Sequence, residues 1–209
     1  MQKKNYPLIL LIIFLTNALN AQNFSGNESN LEIIDKLTDK AAESIFNFII
    51  EKGKEKKYYL GFGKESDKTD YLNSKIKTKF ADYKIISGEY SGTADYNFFF
   101  DTIEIKVRYT DIYTKNIIGS KYVKRDIMVH LKGKISDAAN DTNLLIFNSK
   151  KVYKDEFDYD NIYAIDKSRY GFTTAAVPEQ SFFNKILIPA IIVTATAAII
   201  AAFFFVRSK

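Results

Sequence analysis

Residues 186–206 carry no charged side chain, and Arg207-Ser208-Lys209 follows them. At ~1.5 Å of rise per residue such a run reaches about 31 Å as a helix, the thickness of a bilayer's hydrocarbon core. Its polar side chains are Thr194 and Thr196, whose hydroxyls are able to bond back to helix carbonyls. Pro189 falls in the first turn, where a missing N–H costs little. A buried core helix seldom runs this long without a polar face. The segment therefore reads as a transmembrane helix, with 207–209 as a cytoplasmic tail under the positive-inside rule. The basic terminus, and the lack of a small-residue site with a polar spacer, argue against a glycolipid-anchor signal.

A second apolar run, residues 8–15, lies behind Lys3 and Lys4. It is too short to span and has the layout of an export signal. Cleavage after Ala21 sets Leu19 at −3, and cleavage after Ala18 sets Thr16 there. An uncleaved anchor would leave the middle of the chain on the same side of the membrane. The expected organisation is a signal peptide (1–21), a flexible polar segment (22–30), an exported domain (31–170), a juxtamembrane linker (171–185) and the transmembrane helix (186–206). The absence of Trp, with 14 Tyr, 17 Phe and many Ile, Asn and Lys, fits a low-GC bacterial genome. The expected location is thus the bacterial inner membrane, single-pass, with the domain in the periplasm.

The net charge of +5 misleads. All 25 acidic residues lie between the apolar ends, whereas Lys3, Lys4, Arg207 and Lys209 lie outside them. The exported part is close to neutral, so the basic balance reflects topology and nucleic acid is not an expected partner. With no cysteine there are no disulfides, thiol nucleophiles or thiolate metal sites. A single histidine leaves little room for imidazole-based metal sites or a Ser-His-Asp design, and no cofactor is expected.

Within the exported part, Ser29-Asn30-Leu31-Glu32 reads as a capping box. Leu31, Ile34, Leu37, Ala41, Ile45 and Phe48 or Ile49 follow at helical spacing, which predicts one amphipathic helix over 31–52 ended by Gly53. Residues 58–63 read as a short buried strand. Ser66 or Asp67 caps a second helix lined by Leu72, Ile76 and Phe80, and residues 83–87 form the next strand. This strand-helix-strand unit predicts a parallel pair. Residues 88–98 read as a loop. Ile103, Ile105, Val107 and Tyr109 then alternate with polar residues, as do Ile127, Val129 and Leu131. Further strands are expected near 117–123 and from 144, and a short helix over 161–168. The fold class is α+β: an N-terminal amphipathic helix, the strand-helix-strand unit, and a mostly antiparallel sheet with helices on one side.

Chemistry-bearing motifs are few. Gly61-Phe62-Gly63 follows a strand, but Ser66 stands where a dinucleotide loop needs its third glycine. Glu156, Asp158 and Asp160 share a face if their stretch stays extended, and three carboxylates could hold Ca²⁺. The EF-hand pattern fails there, and the plainer reading is a solvated strand end balancing Lys150, Lys151 and Lys154. His130 lies among outward-facing residues with no Ser or Asp at a catalytic spacing. In the terminal run, Ala190, Thr194, Ala198 and Ala202 recur every four residues and form a small-residue stripe, a pattern that lets helices approach closely and self-associate.

Val107-Arg108-Tyr109-Thr110-Asp111-Ile112-Tyr113-Thr114-Lys115-Asn116-Ile117-Ile118 is similar to the strand-Asp-x-x-Thr-Gly-strand hairpin of bacterial envelope assembly modules. These are the periplasmic domains of the CsgG, FlgO and TolB N-terminal type. Asn116 stands where glycine is usual, shifted by one position. The resemblance covers about a third of the exported domain and implies a binding or assembly role, with no functional residue carried over. The leading expectation is a membrane-anchored periplasmic domain that binds protein partners in the envelope and is not an enzyme. The alternatives are a ligand- or metal-sensing accessory domain and a membrane-bound hydrolase with an unrecognised site.

Overall fold

The computed structural model describes residues 28–88, 92–115, 119–179 and 182–207. The expected signal peptide and residues 22–27 lie outside them, as do Ser208 and Lys209. The fold is α+β. The chain enters through α1 (Asn30–Ala41) and α2 (Glu43–Lys52), then β1 (Lys57–Phe62), α3 (Asp67–Lys79) and β2 (Lys84–Ser87). Three long strands follow: β3 (Tyr96–Thr114), β4 (Lys121–Asp137) and β5 (Asn143–Asp158). A 3-10 turn at Tyr159–Asn161 leads into α4 (Ile162–Asp166), a second turn spans Gly171–Thr173, and α5 covers Phe182–Arg207.

Local signals explain where the helices start. The Ser29 side chain accepts from the Glu32 amide, and Glu32 Oε2 accepts from the Ser29 amide at 2.7 Å, so the predicted capping box is formed. Ser66 caps α3 reciprocally with Thr69. The single helix expected over 31–52 is broken at the fully buried Ala42, although the Ala42 amide still reaches the Thr38 carbonyl at 2.8 Å.

The five strands lie in the order β2-β1-β3-β4-β5. β1 runs parallel to β2, as expected, and also parallel to β3. The β3–β4 and β4–β5 pairs are antiparallel and make up most of the ladder. The two strands expected around 117–123 and 127–131 are one strand, and the strand expected from 144 runs on to Asp158. Alternation sorts each strand's side chains. Ile105, Val107 and Tyr109 of β3, Val123, Ile127, Val129 and Leu131 of β4, and Phe147 and Phe157 of β5 join the buried faces of α1, α2 and α3 in one core. Each such side chain, fully buried, contributes roughly 1.5–3 kcal/mol. The opposite face of the sheet carries Glu104, Lys106, Arg108, Asp126, His130 and Lys154, and no helix covers it among the described residues.

Residues 171–175 belong to the fold rather than to a linker. Thr173 is buried, and Phe172 and Ala175 pack on the core, because the apolar side chains after α4 lie back over α1 and α3. α5 begins at Phe182, so Pro189 sits inside it rather than in its first turn. The described side chains of α5 are exposed and none joins the core. Over the described residues no helix is long and apolar enough to cross a membrane, and residues 187, 188, 205 and 206 of the expected span lie outside the described side chains.

One glycine is required by close approach. Gly133 lies opposite Phe100 where β3 bulges, and a Cβ there would sit 2.1 Å from the Phe99 carbonyl oxygen and 2.6 Å from the Phe147 ring. A main-chain oxygen on a central strand cannot step aside without breaking the ladder. Gly133→Ala is therefore expected to lower unfolding free energy by about 2–3 kcal/mol, measured by urea denaturation. Gly171→Ala, with nothing within 4 Å of its added methyl, should change it little.

Candidate functional site

Two regions gather polar side chains, one inside the fold and one on the open sheet. The inner one is built on Arg125. Its position on β4 is in phase with Val123, Ile127 and Val129, so its side chain points under the helices and is fully buried. The guanidinium donates to Asp155 of β5 through Nε (2.9 Å) and Nη2 (2.6 Å), and lies over the Phe157 ring. Nη1 donates to the Glu28 carbonyl and to Asn30 Oδ1, each at 2.9 Å. Asn30 Nδ2 in turn faces Asp166 Oδ1 at 2.7 Å and the Thr173 carbonyl and Tyr109 hydroxyl at 2.8 Å. Tyr109 also donates to Asp166. Burial, above all, pushes the Asp166 carboxyl above its ordinary value, against the hydrogen bonds from Tyr109 and Asn30 and the charge of Arg125. Burial likewise raises the Tyr109 hydroxyl, with Asp166 adding to the effect. Each polar group here holds another in place, which marks the network as a structural fastening between α1, the sheet and residues 166–173.

A cavity of about 570 Å³ opens between α1 and α3, closed at one end by Arg169 and Tyr170. Its two carboxylates are matched by lysines, and Arg169 lies over the Tyr170 ring. Asp35 accepts from Tyr71 (2.6 Å) and Lys75 (3.2 Å), and Asp39 pairs with Lys75 and Lys79 at 3.4 Å. These contacts join the two helices.

The outer region is a groove of about 410 Å³ on the uncovered sheet face. Cross-strand register builds it in rows: Arg108, Asp126 and Lys154; Lys106, Met128 and Val152; Glu104, His130 and Lys150. Met128 and Val152 give an apolar floor, and four cations (Lys106, Arg108, Lys150, Lys154) stand against two carboxylates (Glu104, Asp126). Asp126 is 3.8 Å from both Arg108 and Lys154. Glu104 pairs with Lys106, and that hydrogen bond, first among its influences, holds its carboxyl below the ordinary value. His130 faces Asn148 at 2.7 Å on the same surface, as its alternation predicted.

The carboxylates singled out in the sequence do not form a ligand set. β5 ends at Asp158, so Asp160 leaves the strand, and Asp158 caps the turn by accepting from the Asp160 amide at 3.0 Å. Glu156 is engaged by Tyr113 and Lys115, and the Lys115 bond chiefly lowers its pKa. Among the described residues no three His, Asp or Glu side chains gather as a metal-holding group. Ala190, Thr194, Ala198 and Ala202 are exposed along α5, and Thr194 donates to the Ala190 carbonyl at 2.7 Å. Sequence reasoning missed Arg125 and the groove. The signal for Arg125 was its place in the apolar phase of β4. The groove needed the register of three strands.

No family model matches this chain, and no curated protein matches it. Among solved structures it is similar to the solution NMR structure of uncharacterized lipoprotein B from Nitrosomonas europaea, with a TM-score of 0.34 and 8% identity over 52% of this chain. The chain spans 66% of the length of that protein.

Removing one partner of the buried pair leaves an uncompensated charge. Arg125→Met is expected to lower stability by about 3–5 kcal/mol. Arg125→Met with Asp155→Leu should recover most of that loss in a double-mutant cycle by urea denaturation. Asp166 has the opposite linkage to a salt-bridged carboxylate. Its raised pKa means that its contribution is most favourable when protonated and declines as pH rises through the folded value. Asp166→Asn should therefore gain melting temperature relative to wild type as pH is raised from about 3 to 6, read by thermal denaturation across that range.

Proposed function

We propose that this chain is a membrane-anchored domain of the bacterial envelope that binds a protein partner through the uncovered face of its sheet. The observation that carries the reading is the one-sided architecture. Helices and the 166–175 segment cover one face, and the other presents the Lys106–Arg108–Lys150–Lys154 groove around Met128 and Val152. An apolar floor with an excess of cations suits a partner segment that presents acidic side chains beside an apolar one. The anchor is α5. Its sequence is free of charge over 186–206, and its described side chains are turned outward, away from the core. An apolar helix with no apolar partner among the described residues is stabilised by a lipid surrounding. Residues 1–21 supply the export signal in this scheme, and the hairpin likeness to envelope assembly modules agrees with an assembly or accessory role.

Two measurements test it. The full chain should stay with bacterial membranes through carbonate extraction, whereas a chain truncated after Asn184 should be released. In-cell crosslinking should capture an envelope protein with wild type and lose it with Lys106→Glu plus Arg108→Glu, a pair on β3 whose side chains take no part in the core. Capture that survives the charge reversal, or no capture from a correctly inserted chain, would count against the reading.

A further inference from the structure

The two edges of the sheet differ. β2 offers four residues, Lys84–Ser87, whereas β5 offers sixteen, Asn143–Asp158, and no strand among the described residues pairs with its outer side. A long edge is a template for another strand unless something guards it. Here the guards are Lys150, Lys151 and Lys154, followed by Asp155, Glu156 and Asp158. Their order is asymmetric, cations first and carboxylates after, which an antiparallel copy of the same strand complements.

Side-chain alternation limits self-pairing to registers with one residue on the two-fold axis. An axis on Lys150, Lys151 or Lys154 sets that lysine against itself, and one on Val152 sets Lys150 against Lys154. An axis on Asp155, Glu156, Phe157 or Asp158 sets like carboxylates together. An axis on Ser149, or nearer Asn143, leaves Glu156 and Asp158 without a cation opposite. With Tyr153 on the axis, Lys150 meets Glu156, Lys151 meets Asp155, Asn148 meets Asp158, and Lys154 lays its stem on Val152. Each ion pair occurs twice by symmetry. Glu156, which already accepts from Tyr113 and Lys115 of its own chain, stays a third exposed and takes Lys150 as a further partner.

We infer that this chain associates with a second copy of itself through antiparallel β5–β5 pairing centred on Tyr153, making one continuous sheet across the two copies. This goes beyond the partner-binding reading: it shares Lys150, Val152 and Lys154 of β5 with the groove, but it rests on the main-chain edge of that strand and not on Lys106 and Arg108 of β3.

The test uses the full chain in detergent. The protein has no cysteine, so one introduced thiol reports on one position. Tyr153→Cys should give a disulfide dimer on mild oxidation, since directly opposed residues lie about 4.5–5.5 Å apart at Cα, within disulfide reach. Ser149→Cys should not, because its two copies would be about 27 Å apart in this register. By sedimentation equilibrium, Lys150→Glu should weaken the dimer about tenfold, and adding Glu156→Lys should restore it. A chain that stays monomeric, a dimer crosslinked through Ser149→Cys instead, or a dimer abolished by Ala198→Leu but untouched by Lys150→Glu would each overturn the inference. Charge reversal on β3 should leave the dimer intact, so failure of edge pairing and failure of partner binding are separable.

Discussion

The guanidinium of Arg125 is fully buried, and the positions of β5, the start of α1 and the segment after α4 follow from that. Burying a cation costs several kcal/mol unless it is paired and its donors are used. Here Asp155 takes two of the donors in a fork, while the Glu28 carbonyl and the Asn30 amide oxygen accept from the third nitrogen. Asn30 is the first residue of α1, so the pair on β4 and β5 determines where that helix begins above the sheet. The other end of the Asn30 amide reaches Asp166 and Thr173, which brings the segment after α4 back over the same place. Apolar burial supplies more energy but no direction. The planar fork supplies direction, and a helix sliding along the sheet would strand a charge.

That fastening explains the asymmetry of the domain. The helices α1, α2 and α3 and the 166–175 segment are held on the face where Arg125 points, and the other face is uncovered among the described residues. A sheet solvated on one side must satisfy itself through cross-strand pairs. It does so with Asp126 between Arg108 and Lys154 and with Lys124 and Asp111, while Glu104 and Lys106 pair along β3. Exposed pairs of this kind contribute little to stability. Their effect is to make a long, twisted surface soluble while leaving a cationic groove on it.

Periodicity made much of this legible in the sequence. The capping box at Ser29 and Glu32, the faces of α1 and α3, the parallel strand-helix-strand unit and the alternation of β3 follow from local spacing, and the structure has them. Three things did not. The strands are longer than the pattern predicts, because Arg125 and the glycine at 133 look like interruptions in a hydrophobic pattern. Arg125 is a core residue with a partner thirty positions away, and Gly133 is a place where another backbone comes close. The fate of 171–175 depended on Asn30, far off in the chain. Grouping the carboxylates at 156–160 on one face requires an extended strand to run through all of them. The turn that Asp158 caps removes Asp160 from that face. In each case the deciding contact is non-local, and a window of neighbouring residues does not contain it.

The two proposals constrain one another through symmetry. If α5 lies in a bilayer, two paired copies have their anchors in the same membrane, so their two-fold axis runs along the membrane normal. The axis of antiparallel β5–β5 pairing stands perpendicular to the sheet, since opposed side chains must fall on the same face. The sheet then lies roughly parallel to the bilayer, and both grooves look the same way, either toward the lipid or away from it. Tethering also supplies concentration. Copies confined to one surface meet at an effective concentration far above that of the same domain in solution. An edge guarded by three lysines, too repulsive for casual contact, then pairs in the one register that matches its charges.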